Sequence, residues 1–339
     1  MITLSDLQKY DHSEMYKIYD NWPQTAIESF EKKDQVLDFK NIDQLIFSGM
    51  GGSGTICDVF SSIFSQTSIT INVTKGYNLP KPVNENTLVV VISASGNTQE
   101  TITVLKSAHK KGLKIVAFSD DGKIQDYCSK NNIVHKKITL THSPRSSFPS
   151  FLYSILNFFE PILPLTSNEI KESITALEKK QYLVSSDNID KNNPSLMLAD
   201  WITGIPMIYY PWGLNAAAIR FKNSLQENAK SHAMVENVIE ACHNNIVAWE
   251  KTVNVKPILI KGQDDYFKTK QRWEILQKFF DIQNIDYWEI NSIDGNILSK
   301  LVDLIYLLDY ASIYRAVLSK IDPSTIYPID FIKNEIASY

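Results

Sequence analysis

Thr87-Leu88-Val89-Val90-Val91-Ile92-Ser93-Ala94-Ser95-Gly96-Asn97-Thr98-Gln99-Glu100-Thr101 is the stretch whose reading decides the fold. Val89 to Ile92 form an unbroken β-branched run, the pattern of a strand covered on both faces in a parallel sheet. The run ends in Ser93, Ser95 and Thr98, with Gly96 and Asn97 tolerating positive φ, and helical character follows from Gln99 to Lys110 before Gly112. A helix start with free N–H groups, a favourable dipole and clustered hydroxyls is a receptor for a small anion such as phosphate, with no lysine needed. Ser, Asn and Thr also cap helices for local reasons, so the loop by itself leaves a plain capping turn open as well.

The 339 residues are long for one core and sufficient for two domains. A formal charge of −4 with 21% charged and 44% hydrophobic residues describes an ordinary globular chain. It carries no basic stripe interleaved with aromatics, which argues against nucleic-acid binding. Cys57, Cys128 and Cys242 are too scattered for a disulfide framework or a zinc knuckle, so a reducing cytoplasm is expected. No run reaches the roughly 18 apolar residues of a membrane span, and Met1 to Asp20 has no signal core.

Residues 4 to about 34 read as helices laid outside the first core, with Trp22-Pro23 interrupting them. Strands follow at 41–48, 69–74, 88–93, 114–119 and 133–138, alternating with helices, which specifies a doubly wound, mostly parallel sheet. Gly49-Met50-Gly51-Gly52-Ser53-Gly54 satisfies the dinucleotide pattern G-x-G-x-x-G after the first strand. That pattern also wants an acidic residue about twenty positions on, whereas the second strand ends Val73-Thr74-Lys75-Gly76. The dinucleotide reading is therefore set aside, and Gly51, Gly52 and Ser53 are read as setting backbone N–H groups and one hydroxyl beside the hydroxyl loop at the carboxyl edge of one sheet.

After the fifth strand, Thr141-His142-Ser143-Pro144-Arg145-Ser146-Ser147-Phe148-Pro149 holds an arginine between two prolines. A fixed guanidinium beside an anion pocket suits oxyanion stabilisation, while a domain-leaving turn with a surface charge fits the same residues. A helix at 151–159 closes a first domain, residues 1–164; 165–191 read as a helical connector and 192–339 as a second domain repeating the plan. Its strands are placed at 205–210, 257–260 and 287–290, with helices at 215–228, 264–281 and 297–318 and a short one after Asp322-Pro323. The second half has no glycine quartet and no Ser-x-Ser-Gly-x-Thr loop, so one phosphate site per chain is expected. Glu227 closes the 215–228 helix and His243 follows sixteen positions later; a solvated helix end and a capping histidine are the plain alternatives.

Ser93 to Glu100 resembles the Ser-x-Ser-Gly-x-Thr-x-Glu signature of the SIS (sugar isomerase) domain, a phosphosugar-binding module. The entire chain resembles the bifunctional phosphoglucose/phosphomannose isomerases, enzymes built from two SIS domains. The resemblance rests on Gly49 to Gly54, Ser93 to Thr101, Pro144-Arg145, Asn223 to Lys230, His243-Asn244 through Trp249-Glu250, and Asp322-Pro323 with Lys333. It implies an α/β fold of two SIS-type doubly wound, mostly parallel sheets flanked by helices. It implies that Glu227 shuttles a proton between C1 and C2 through a cis-enediol, that Arg145 stabilises the enediolate, and that His243 and Lys333 assist ring opening, with Lys320 the competing lysine. Ser53, Ser93, Ser95 and Thr98 would hold the phosphate, and Ser324 and Thr325 are candidates to sit near C2. The histidine is expected from the partner subunit, which implies a homodimer with shared active sites. No metal or organic cofactor is implied, and neither nucleic acid nor membrane is an expected partner. The competing readings are a phosphosugar-binding SIS regulator without turnover and an aminosugar-phosphate isomerase; no helix-turn-helix and no room for an amidotransferase domain are visible.

Overall fold

β-Branched runs bounded by small residues become the strands of two parallel sheets. The computed structural model describes residues 2–32, 39–251 and 254–338. The first sheet contains β1 (Gln44–Ser48), β2 (Thr70–Thr74), β3 (Thr87–Ser93), β4 (Lys114–Ser119) and β5 (Val134–Lys137), in the order β2-β1-β3-β4-β5. All of its pairings are parallel, with Ser48 opposite Val91 and Ser93 opposite Ser119. β3 is the central strand and is buried from end to end, as its two-sided apolar run requires.

The second sheet contains β6 (Ile205–Tyr210), β7 (Met234–Asn237), β8 (Val255–Lys261) and β9 (Trp288–Asn291), in the order β7-β6-β8-β9. It is also wholly parallel, and its order is that of the first sheet without the fifth strand. The reading of 227–243 had placed no strand there. β7 has four residues, one exposed and three half-buried, at a sheet edge, so its apolar signal is too short and too weak to stand out.

Each sheet carries helices on its outer face: Gln99–Lys110 and Lys123–Lys130 on the first, Phe267–Ile282 on the second. Between the sheets lies a shared helical layer built on Gly51–Phe64, Asn215–Asn228 and Ile297–Leu318. Ile297–Leu318 is apolar nearly all round and is buried over almost its whole 22 residues, as expected of a helix surrounded by others. Ser167–Val184 and Pro194–Trp201 pack on it, so the stretch read as a polar connector is part of the core. Among the described residues no helix is long and apolar enough to cross a membrane.

The N-terminal helices correct the expectation that they lie outside the core. Leu4–Tyr10, Met15–Asp20 and Trp22–Glu31 contribute Leu7, Met15, Tyr16, Tyr19 and Trp22, all of them buried, to the cluster that joins both halves. Trp22-Pro23 ends one helix and begins the next, with proline in the first turn where its missing N–H costs nothing. Trp22 stacks on Tyr19 and Tyr306, and its indole N–H donates to the Ser146 carbonyl at 2.8 Å.

At the centre of this layer Arg220 and Asp309 form an ion pair with side-chain exposures of 2% and 0%. Arg220 donates from Nη2 (2.6 Å) and from Nε (3.0 and 3.2 Å) to Asp309, and from Nη2 to the Arg145 carbonyl at 2.7 Å. Asp309 also accepts from Ser224 (2.8 Å) and Tyr19 (3.0 Å). Burial and the Asp309 carboxylate push the Tyr19 phenol far above its usual range, which keeps it a donor. Removing one partner strands a buried charge. Asp309→Ala is therefore expected to lower unfolding free energy by about 3–5 kcal/mol, while Arg220→Met combined with Asp309→Leu recovers most of the loss; urea unfolding of the three proteins checks this.

Candidate functional site

The carboxyl edge of the first sheet, where β1, β3 and β5 release their loops, gathers the groups singled out in the sequence. Gly51 opens its helix at φ +53°, and a Cβ on Gly52 would lie 2.9 Å from the Pro144 carbonyl oxygen. A hydrogen at that position is what lets the arginine loop settle over the helix start. Ser53 is buried, and its Oγ accepts the Ala94 N–H at 3.2 Å, which ties the glycine loop to the hydroxyl loop. Ser93 and Thr98 share a hydrogen bond of 2.8 Å between their hydroxyls, while exposed Ser95 accepts the Asn97 N–H at 3.3 Å. No side chain caps the first turn of Gly51–Phe64 or of Gln99–Lys110, so both offer backbone N–H groups to an anion.

The hydroxyl loop is braced from the β4 side. Asp120 N–H donates to the Ala94 carbonyl, Ile124 N–H to the Gly96 carbonyl and Lys123 N–H to Asn97 Oδ1, at 3.0–3.2 Å. Gly96 stands at φ +65°, where an added Cβ would meet the Asp121 carbonyl oxygen at 1.7 Å.

Arg145 is 4% exposed and rigidly held. Nε donates to Asn228 Oδ1 at 2.7 Å, Nη1 to Glu227 Oε2 at 3.3 Å, and Nη2 to the Pro323 and Ser324 carbonyls at 2.8 and 3.1 Å. The larger residues that follow it have structural work: Ser143 and Ser146 bond to each other, and the Phe148 ring lies 4.4 Å from the Arg220 guanidinium carbon. Glu227, 24% exposed on its side chain, sits in the last turn of Asn215–Asn228 and lines a cavity of about 630 Å³. Gly51, Asn223, Gln226 and Lys230 line it with Glu227, and Thr325, Ile326, Pro328 and Ile329 form the wall contributed by the C-terminal segment. This volume is in the range of small-ligand sites.

The structure thus brings together Gly51, Gly52, Ser53, Ser93, Thr98, Arg145 and Glu227. Of the predicted residues Gly51 and Glu227 line the cavity itself, and His243, Lys333 and the competing Lys320 share no bond with this group. His243 is exposed in the turn after Val238–Ala241, its N–H donating to the Glu240 carbonyl at 2.9 Å. Lys333 is exposed on the helix Tyr327–Ser338, and Lys320 is exposed at φ +58° after Ile297–Leu318. Ser324 lies in the segment held by Arg145, and Thr325 reaches the cavity. Asn223, Gln226 and Lys230 had no assigned role, nor had His232, which also lines the cavity. Their signal was present: positions 223, 226, 227 and 230 follow i, i+3, i+4, i+7, a polar stripe on a helix otherwise buried. Burial and the Arg145 charge draw the Lys230 ammonium below the usual lysine range. Among the described residues no three His, Cys, Asp or Glu side chains gather as a metal-binding cluster. Gly96→Ala is expected to displace the hydroxyl loop, costing about 1–3 kcal/mol of stability and abolishing the binding of hexose phosphate; thermal unfolding and titration calorimetry read the two effects.

Comparison with known proteins covers both halves. Residues 38–159 match the SIS domain family, and residues 191–336 match the bacterial phospho-glucose isomerase C-terminal SIS domain family. A bifunctional phosphoglucose/phosphomannose isomerase of Caldicellulosiruptor bescii is 29% identical over 314 residues, 88% of this chain and 91% of that protein. Another from Aquifex aeolicus is 26% identical over 96% of this chain and 99% of its own length. The crystal structure of tagatose-6-phosphate ketose/aldose isomerase from Escherichia coli shares the fold, with a TM-score of 0.71 at 13% identity over 93% of this chain and 96% of that one. The chain thus carries two SIS-family regions in tandem and is similar over most of its length to bifunctional phosphoglucose/phosphomannose isomerases.

Proposed function

We propose that this protein is an aldose–ketose isomerase that interconverts glucose 6-phosphate and mannose 6-phosphate with fructose 6-phosphate. The observation that carries this reading is the Glu227 carboxylate, fixed against the buried Arg145 guanidinium, on the wall of a cavity that reaches the start of the Gly51 helix.

In the open-chain aldose, Glu227 takes the proton from C2 while the carbonyl oxygen at C1 gains negative charge. The resulting cis-enediolate lies beside the Arg145 guanidinium, a cation already buried and fixed before the reaction begins. A hydroxyl proton then moves between the oxygens on C2 and C1, and Glu227 returns its proton to C1 to give the ketose. No electrons leave the substrate, and the base ends as it began. Ser53, Ser93, Ser95 and Thr98, with the two uncapped helix starts, anchor the phosphate and hold C1 and C2 in place. Loss of stereochemistry at C2 in the planar intermediate is what admits both epimeric aldoses.

Ring opening needs a proton donor and acceptor near the ring oxygen. His243 and Lys333 are assigned to it, His243 entering from a second copy of the chain, so the working unit proposed is a homodimer with shared sites. Its exposure, and that of Lys333, leaves both side chains available for such an assembly.

Incubation with fructose 6-phosphate alone is expected to yield both aldose 6-phosphates; a phosphosugar-binding regulator would bind without turnover. Glu227→Gln is expected to retain binding and lose about 10²–10⁴-fold in kcat. Ser93→Ala with Ser95→Ala is expected to raise KM by roughly 10-fold or more at unchanged fold, as lost charge-assisted hydrogen bonds predict. Wild-type turnover in Glu227→Gln would remove the proposed base.

A further inference from the structure

We infer that Lys230 is a positioning residue of the isomerase site: its ammonium clamps residues 322–325 to the end of the Glu227 helix and so fixes the C-terminal helix relative to the base. The activity part of this inference rests on the isomerase reading above.

The backbone at Lys230 is the first observation. The helix Asn215–Asn228 ends with the N–H groups of Ala229 and Ser231 both donating to the Leu225 carbonyl at 3.1 Å, with Lys230 between them at φ +54°. A helix-terminating position of this conformation is the usual place for glycine, because a β-carbon there crowds the backbone. A lysine that bears this strain has to return something through its side chain.

That return is visible at Nζ. It donates to the carbonyls of Glu227 (2.6 Å), Thr325 (2.7 Å) and Asp322 (3.1 Å), with the Asn228 carbonyl at 3.4 Å. Three N–H bonds meet the three nearer oxygens, and two of these belong to a segment more than ninety positions away in sequence. Arg145 takes the two carbonyls between them, Pro323 and Ser324. Four consecutive carbonyls, 322 to 325, thus accept from two cations that also bond Glu227, Arg145 at its carboxylate and Lys230 at its carbonyl.

The segment so held leads directly into Tyr327–Ser338, in which every residue from Tyr327 to Ile336 is exposed. With none of residues 327–336 buried, the attachment at 322–325 bears on where this helix lies. Ile326, Pro328 and Ile329 nonetheless form a wall of the cavity, and Lys333 rides on the same helix. Loss of the Lys230 bonds therefore loosens this wall and the Lys333 helix at carbonyls 322 and 325, with Arg145 still on carbonyls 323 and 324, His12 on the Asp322 carboxylate and Asp11 on Ser324, while the phosphate loops on the first sheet remain intact.

Three variants test this. Lys230→Gly removes the ammonium and relieves the backbone, Lys230→Met removes the charge alone, and Lys230→Arg keeps a cation of similar reach. For Lys230→Gly and Lys230→Met, kcat with fructose 6-phosphate is expected to fall about 10–100-fold with KM within about threefold of wild type, and Lys230→Arg to recover most of it. Lys230→Gly should unfold at no lower temperature than Lys230→Met, so the loss cannot be assigned to misfolding. Amide hydrogen exchange of residues 322–338 is expected to speed up in both uncharged variants. Wild-type exchange in that segment, or a kcat within twofold of wild type in Lys230→Gly, overturns the inference, as does a loss carried by KM alone. If wild-type protein does not isomerise fructose 6-phosphate, the isomerase reading falls, and the exchange measurement still decides the clamp.

Discussion

A guanidinium removed from water at the meeting point of five chain segments is the constraint on which the rest depends. Arg220 and Asp309 are both essentially inaccessible, and burying such a pair is favourable only if every donor and acceptor finds a partner. The partners come from the N-terminal helices (Tyr19), the helix of the base (Ser224) and the arginine loop (the Arg145 carbonyl), with Trp22 and Phe148 against the planar face. Satisfying one ion pair therefore draws together elements from both ends of the chain. The same bonds dictate where Arg145 can lie.

This explains why the N-terminal helices, which carry no recognisable chemistry, belong to the working structure. Trp22 holds the Ser146 carbonyl and Tyr19 holds Asp309, so the arginine loop is gripped from behind on two sides. Arg145 in turn spends its donors on Asn228, Glu227, Pro323 and Ser324. A positive charge held that firmly needs no reorganisation when negative charge develops beside it, which is the condition for strong electrostatic stabilisation.

The two ends of the duplicated architecture differ in the charge that lines them. Ser62 near the end of the first domain's central helix donates to Asn215 at the start of the second domain's, while Gly51 and Glu227 meet across the opposite end, so the two helices run antiparallel. Each end has a cleft. The smaller, of about 280 Å³, is lined by serines, asparagines, Tyr210, Trp212 and Gly213, with no carboxylate and no arginine. Both halves keep the sheet order, and among the described residues an uncapped helix start, a carboxylate and a buried guanidinium come together at the junction of the first sheet with the Glu227 helix.

The sequence alone determined the strand order's raw material, the hydroxyl loop and the family signature, because these are local: β-branched runs, a Gly-Asn pair that tolerates positive φ, and residues at fixed short spacing. The helix Ile297–Leu318 was legible to the residue for the same reason. The edge strand β7 was not, since four half-exposed residues gain their structure from pairing with β6 rather than from their own pattern. The role of the N-terminal helices, the Arg220–Asp309 pair and the grip of Lys230 on residues 322–325 were decided only by tertiary structure. Each joins residues from about seventy-five to nearly three hundred positions apart; the Arg220–Asp309 pair forms because buried charges must find partners, and the Lys230 contacts because the fold brings distant carbonyls to its ammonium, neither of which any stretch of sequence expresses by itself.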